Sequence, residues 1–144
     1  MTESAAHAEL VRAIIYHVQH EFGDLTELAI GADSLGWLRS NRPPRVGRYV
    51  PDVFATNVPT TKTLIGEAKT QRDLETVHSR AQISAFLKHL AHTPNGVFVL
   101  SVPFVASATA RRTVIQLSRP FVTAKTHIVI LDGIRRVKRA RDTC

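Results

Sequence analysis

Apolar side chains along this chain recur in two periods, and the alternation between them predicts the order of its elements. Between Glu3 and Phe22, Leu10, Ala13, Ile14 and Val18 return at helical spacing, with Ser4 able to cap the start and Gly23 to end the helix. Glu27 to Ile30 reads as a short strand, with a further strand pairing around Trp37. Two apolar runs follow, YVPDVFA and TLIGEAK, joined by NVPTTK, whose Asn, Pro and Thr are turn formers; this is the pattern of a β-hairpin. A helix capped by Asp73 is predicted to run to about Ala91, with Leu74, Val77, Ala81, Phe86, Leu87 and Leu90 available for burial. After the turn TPNG, the uninterrupted apolar run Val97 to Val102 suits a strand covered on both faces, and Pro103 stops it. A helix from about Val105 to Ser118 is broken by Pro120, and His127 to Asp132 supplies a last buried strand. The predicted class is therefore α/β, a central mixed sheet flanked by helices.

Within the hairpin, alternate side chains share a face, so Glu67 and Lys69 point the same way and Ala68 the other. Asp52 sits far enough from the turn on the partner strand to come opposite that pair. Two acids and a lysine are thus expected to converge. Glu67 to Lys69 is the only acid-x-Lys triplet in the chain, and it closes a strand-like run. A hard cation such as Mg²⁺ takes oxygen ligands, is commonly held by one or two carboxylates, and keeps waters and phosphate oxygens in its other positions. Asp52 and Glu67 can supply those carboxylates. Such an ion acidifies water and neutralises charge developing on a phosphodiester, and Lys69 would orient the nucleophile or stabilise the transition state. A plain surface ion pair on a solvated strand is the competing reading.

Pro51, Asp52, Glu67, Ala68 and Lys69 together resemble the core motif of the PD-(D/E)XK nuclease superfamily. The likeness extends into the next predicted helix, where Gln82 stands four residues before Phe86, similar to the Gln-x-x-x-Tyr element of RecB-like nucleases with phenylalanine in place of tyrosine. It covers about 35 residues; beyond them only the order of elements is alike. The resemblance implies a three-layer restriction-endonuclease-like core, αβββαβ with one added helix and strand, over residues 1–134, followed by a basic tail, 135–144. It implies Mg²⁺-dependent hydrolysis of DNA, with Mn²⁺ able to substitute. The implied catalytic residues are Asp52, Glu67, Lys69 and Gln82, with Asp52, Glu67 and the Ala68 carbonyl as metal ligands. An acid on the first helix, Glu9, is a further implied ligand. Of the activities the resemblance implies, a structure-selective endonuclease such as a Holliday junction resolvase, acting as a symmetric dimer, is one reading, and a catalytic subunit directed by a protein partner is equally compatible. A non-catalytic module that keeps the fold as a nucleic-acid or protein platform is the alternative.

The chain has 144 residues, room for one domain with a real core, and a net charge of +7, which favours polyanionic partners. Arg39, Arg42, Arg45 and Arg48 recur through a Pro-containing loop leading into the hairpin, and Arg135, Arg136, Lys138 and Arg139 lie in the tail; all are candidates for gripping a nucleic-acid backbone. The single cysteine, Cys144, leaves no internal disulfide, and MTESAAHAEL lacks the basic and apolar pattern of a secretory leader, so a reducing, cytoplasmic setting is expected. No apolar run is long enough for a membrane helix. Two other patterns carry little. GADSL around Ser34 is similar to a phosphopantetheine attachment site, but Pro43 and Pro44 would break the helix that site needs, and Ala32 spoils a hydrolase elbow. His17, His20 and Glu21 share a helix without a third matching ligand, which is weak ground for zinc.

Overall fold

The computed structural model describes residues 5–23, 26–31, 42–121 and 123–133. Helix α1 (Ala5–Phe22) leads into a five-stranded sheet of β1 (Thr26–Ile30), β2 (Val53–Asn57), β3 (Thr63–Ala68), β4 (Gly96–Ser101) and β5 (His127–Leu131). The spatial order follows the chain order. The first three strands are antiparallel neighbours; β4 lies parallel to β3 and β5 parallel to β4. Two parallel neighbours need crossovers, and helices supply them. Helices α2 (Gln71–Leu74) and α3 (Val77–Ala91) link β3 to β4, and α4 (Ser107–Ser118) links β4 to β5.

The strand pleat splits the core in two. Leu64 and Ala68 of β3 turn toward Val11, Ile14 and Val18 of α1, whereas Ile65 turns toward Ile83, Phe86 and Leu90 of α3 and Val114 of α4. The sheet is thus sandwiched between α1 on one side and α3 with α4 on the other. All six residues of β3 and all six of β4 are buried, as expected of central strands in a sheet covered on both faces. Gly66 allows the closest approach of α1, because a Cβ there would stand 2.5 Å from Ile14 Cγ2.

Asn57 closes the hairpin turn: its Oδ1 accepts from the amides of Thr61 and Lys62 at 2.8 and 2.9 Å. The strand leading into the hairpin is shorter than the run YVPDVFA suggests. Val46 and Tyr49 form an isolated bridge around a turn at Gly47, where φ is +63°, and regular pairing begins only at Val53, after Pro51. The single helix expected from Asp73 is two. Thr70, not Asp73, caps the first: its hydroxyl accepts from the Asp73 amide while the Asp73 carboxylate accepts from the Thr70 amide, a reciprocal capping box. Thr76 caps the second. Val77 then falls in the first turn of α3 and is 84% exposed, and Ala81 is exposed as well, so neither is the core residue its spacing suggested. The strand expected around Trp37 and the tail from residue 135 lie outside the described residues.

Candidate active site

The antiparallel pairing of β2 with β3 sets the start of one strand beside the end of the other. Asp52 immediately precedes β2, and Glu67 and Ala68 end β3, so the hairpin carries them to the same end of the sheet. The contact is direct. The Asp52 amide donates to Glu67 Oε1 at 3.0 Å, and Asp52 Oδ2 accepts from the Ala68 amide at 2.9 Å. Lys69 continues the parallel ladder one residue beyond β3, its amide donating to the Ser101 carbonyl at 3.0 Å. Its side chain lies on the Glu67 side, with Nζ 3.3 Å from Glu67 Oε2. From α3, Gln82 Oε1 accepts from Lys69 Nζ at 2.6 Å. Asp52, Glu67, Lys69 and Gln82 are therefore brought together, with Glu67, Lys69 and Gln82 buried.

Burial has an electrostatic consequence. Glu67 is 3% exposed, and loss of water raises its pKa from the ordinary carboxylate range to about 8, with the neighbouring Asp52 charge adding to the rise. Lys69 and the Asp52 amide oppose the shift without cancelling it. The cluster holds two acids and one lysine, so ionising Glu67 leaves acid in surplus over lysine. That surplus suits a cation.

The oxygen donors fit a hard divalent ion. Asp52 and Glu67 offer two neighbouring carboxylates, the number with which Mg²⁺ is commonly held, and their mutual repulsion is relieved when an ion lies between them. No cage of three or more His, Cys, Asp or Glu side chains occurs among the described residues. Ala68 stands between the two functional side chains with its amide engaged by Asp52 and its methyl packed on the α1 side.

Glu9 is not part of this cluster. Its side chain is 74% exposed and pairs with Arg12 at 3.3 Å. The first helix contributes His7 instead, with Nε2 3.4 Å from Asp52 Oδ2. The sequence held the signal: His7 lies on the stripe of Val11, Ile14 and Val18, which faces the sheet, whereas Glu9 is two residues, about 200°, further round the helix. Ser101 also went unread. Its register partner is Ala68, it is 1% exposed, and its Oγ has no hydrogen-bond partner among the described residues, a deficit that costs about 1–3 kcal/mol.

Arg42, Arg45 and Arg48 are exposed. Arg45 reaches back to the Arg48 carbonyl at 3.4 Å, and Tyr49 anchors this loop edge-on to His78 and Phe86 of α3, the helix that carries Gln82. Arg39, Arg135, Arg136, Lys138 and Arg139 lie outside the described residues. His17 lies 3.6 Å from Glu21, but Glu21 is engaged by Lys62 at 2.8 Å, so this end of α1 forms an ion-pair cluster. No described helix is long and apolar enough to cross a membrane. Compared with family models, curated proteins and solved structures, the chain matches none.

Proposed function

We propose that this chain is a metal-dependent nuclease of the PD-(D/E)XK type that hydrolyses DNA phosphodiester bonds. The observation that carries the reading is the meeting of Asp52, Glu67, Lys69 and Gln82 in one buried, hydrogen-bonded group at the end of the hairpin. Such a group is not a surface ion pair. The order of elements supports it too: a helix, three antiparallel strands, a helical crossover and a parallel strand follow the αβββαβ arrangement, with α4 and β5 as the additions.

Asp52 and Glu67 would hold Mg²⁺ or Mn²⁺, with the Ala68 carbonyl as a further oxygen. The ion would supply charge neutralisation at the phosphate and a more acidic water. The chain's own groups do the positioning. Gln82 fixes Lys69 Nζ through the 2.6 Å hydrogen bond, so the ammonium is held in place, free of the rotamer disorder of a surface lysine. Nζ can then donate to a non-bridging phosphate oxygen as negative charge builds there. His7 and the Ala68 amide keep Asp52 in its orientation. The basic balance of the chain and the exposed arginines at 42, 45 and 48 favour a polyanionic substrate.

Supercoiled plasmid and branched DNA incubated with Mg²⁺ or Mn²⁺ test the proposal, comparing wild type with Glu67→Ala and Lys69→Ala. Nicking that both substitutions abolish supports it. Nicking that survives both, or binding with no cleavage under any metal, overturns it and leaves a non-catalytic binding platform.

A further inference from the structure

Beside the carboxylate cluster, an open groove of about 600 Å³ runs between α1 and the ends of β4 and β5. This volume falls in the range of small-molecule and cofactor sites. Ser101, the register neighbour of Ala68, lines it, so the groove begins one strand spacing, about 4.8 Å, from the end of β3.

Its lining is unusual for this chain. Two aromatic residues in it, Tyr16 on α1 and Phe104 just after Pro103, are 45% and 61% exposed. Tyr16 is steadied by an edge-on contact with His20, ring centroids 4.6 Å apart. Although the chain carries +7 overall, the groove's charged lining among the described residues is Glu9, Arg12 and Asp132, and Arg12 is already paired with Glu9. Those side chains, two acids and one paired arginine, offer a phosphate no unpaired cation. A neutral, flat, hydrogen-bonding ring needs none. Asp132 Oδ2 accepts from Ser107 Oγ at 2.9 Å, and a carboxyl group presents two oxygens as acceptors. The buried Ser101 hydroxyl has no partner among the described residues and can both donate and accept.

We infer that this groove receives an unpaired nucleobase next to the bond to be cut, stacked on Phe104 or Tyr16 and read at its edge by Asp132. The inference rests on the nuclease reading and deepens it: the substrate is DNA with an unpaired nucleotide at the cleavage point. A carboxylate accepts from exocyclic amino groups, so cytosine, adenine and guanine are preferred over thymine, which has none.

The test is fluorescence anisotropy with labelled oligo-dC, oligo-dT and a blunt duplex, in EDTA so that nothing is cut. Wild type should bind oligo-dC more tightly than oligo-dT and either more tightly than the duplex. Phe104→Ala or Tyr16→Ala should weaken single-strand binding by about 5- to 150-fold, the range that base stacking supports. Asp132→Asn should erase the dC preference. Equal binding of oligo-dC and oligo-dT by wild type, or retention of single-strand affinity in both aromatic variants, overturns the inference. Plasmid cleavage separates the two readings: cutting with no base selectivity sinks the groove alone, and selective binding without cutting sinks the nuclease and with it the cleavage point, leaving a groove that only binds unpaired bases.

Discussion

Changing pH in the absence of metal, and repeating the measurement in Glu67→Gln, addresses the electrostatics of the cluster directly. Folded Glu67 has a pKa of about 8, against an ordinary 4.5 in the unfolded chain. Between those values the folded state binds more protons than the unfolded one, so stability is greatest below 4.5 and declines as pH rises toward 8. Inside the window the slope is about 1.4 kcal/mol per pH unit. For a domain of this size that corresponds to a melting temperature falling about 3–5 °C per pH unit. Thermal unfolding in EDTA, followed by circular dichroism across the window, measures the slope, and subtracting the Glu67→Gln curve removes every other titrating group. Binding of Mg²⁺ requires the ionised form, so its apparent affinity should rise about 50-fold between pH 6 and pH 8. Wild-type and Gln curves separated by a constant offset would refute the assignment. A Mg²⁺ affinity that is flat with pH would refute the linkage between proton and ion.

Other substitutions probe neighbouring links. Lys69→Met leaves Gln82 Oε1 without its buried donor; because Glu67 can stay protonated, stability should fall by only about 1–3 kcal/mol, while plasmid cleavage drops at least about 100-fold. Denaturant unfolding and initial cleavage rates report the two effects, and an undiminished rate would remove Lys69 from the chemistry. His7→Ala should raise the Mg²⁺ concentration for half-maximal cleavage by about tenfold with the saturated rate retained, a split that a metal titration reads directly. Gly66→Ala drives a methyl into Ile14 Cγ2 and Val53 Cβ and should cost about 1–3 kcal/mol; Ile14→Ala in the same chain should recover part of it, measured as a double-mutant cycle.

The hairpin and its charged residues were legible because they depend on local rules. A period of two puts Glu67 and Lys69 on one side, and the turn chemistry around Asn57 fixes where the chain reverses. The break between α2 and α3 was hidden by continuity, since the apolar spacing from Leu74 to Leu90 runs straight through it. A local signal for it did exist, for Thr70-x-x-Asp73 is a capping-box pattern and Thr76 a second cap. His7 against Glu9 was decided by the phase of the α1 stripe, which the sequence contains. Ser101 was different in kind. Its importance comes from lying opposite Ala68 across a parallel pair whose strands are joined by two helices, and no local pattern states such a register.

The two ends of the hairpin carry the same residue types and show why type alone does not assign a role. At the turn end, Glu21 pairs with Lys62 at 2.8 Å, with His17 close by and Lys62 also lying 5.0 Å from the Phe22 ring centroid. Glu21 is a quarter exposed there, and the Lys62 hydrogen bond holds its pKa below the usual value. At the other end Glu67 has a lysine 3.3 Å away and a histidine 3.4 Å from its neighbour Asp52, yet its pKa moves the opposite way. The difference is water and a second acid: β3 is buried along its whole length, and Asp52 sits where it repels the charge on Glu67. Glu21 therefore remains ionised and serves as a clamp between α1 and the hairpin. Glu67 keeps its proton up to about pH 8, so the hairpin that orders the fold at one end buries a titrating carboxyl at the other.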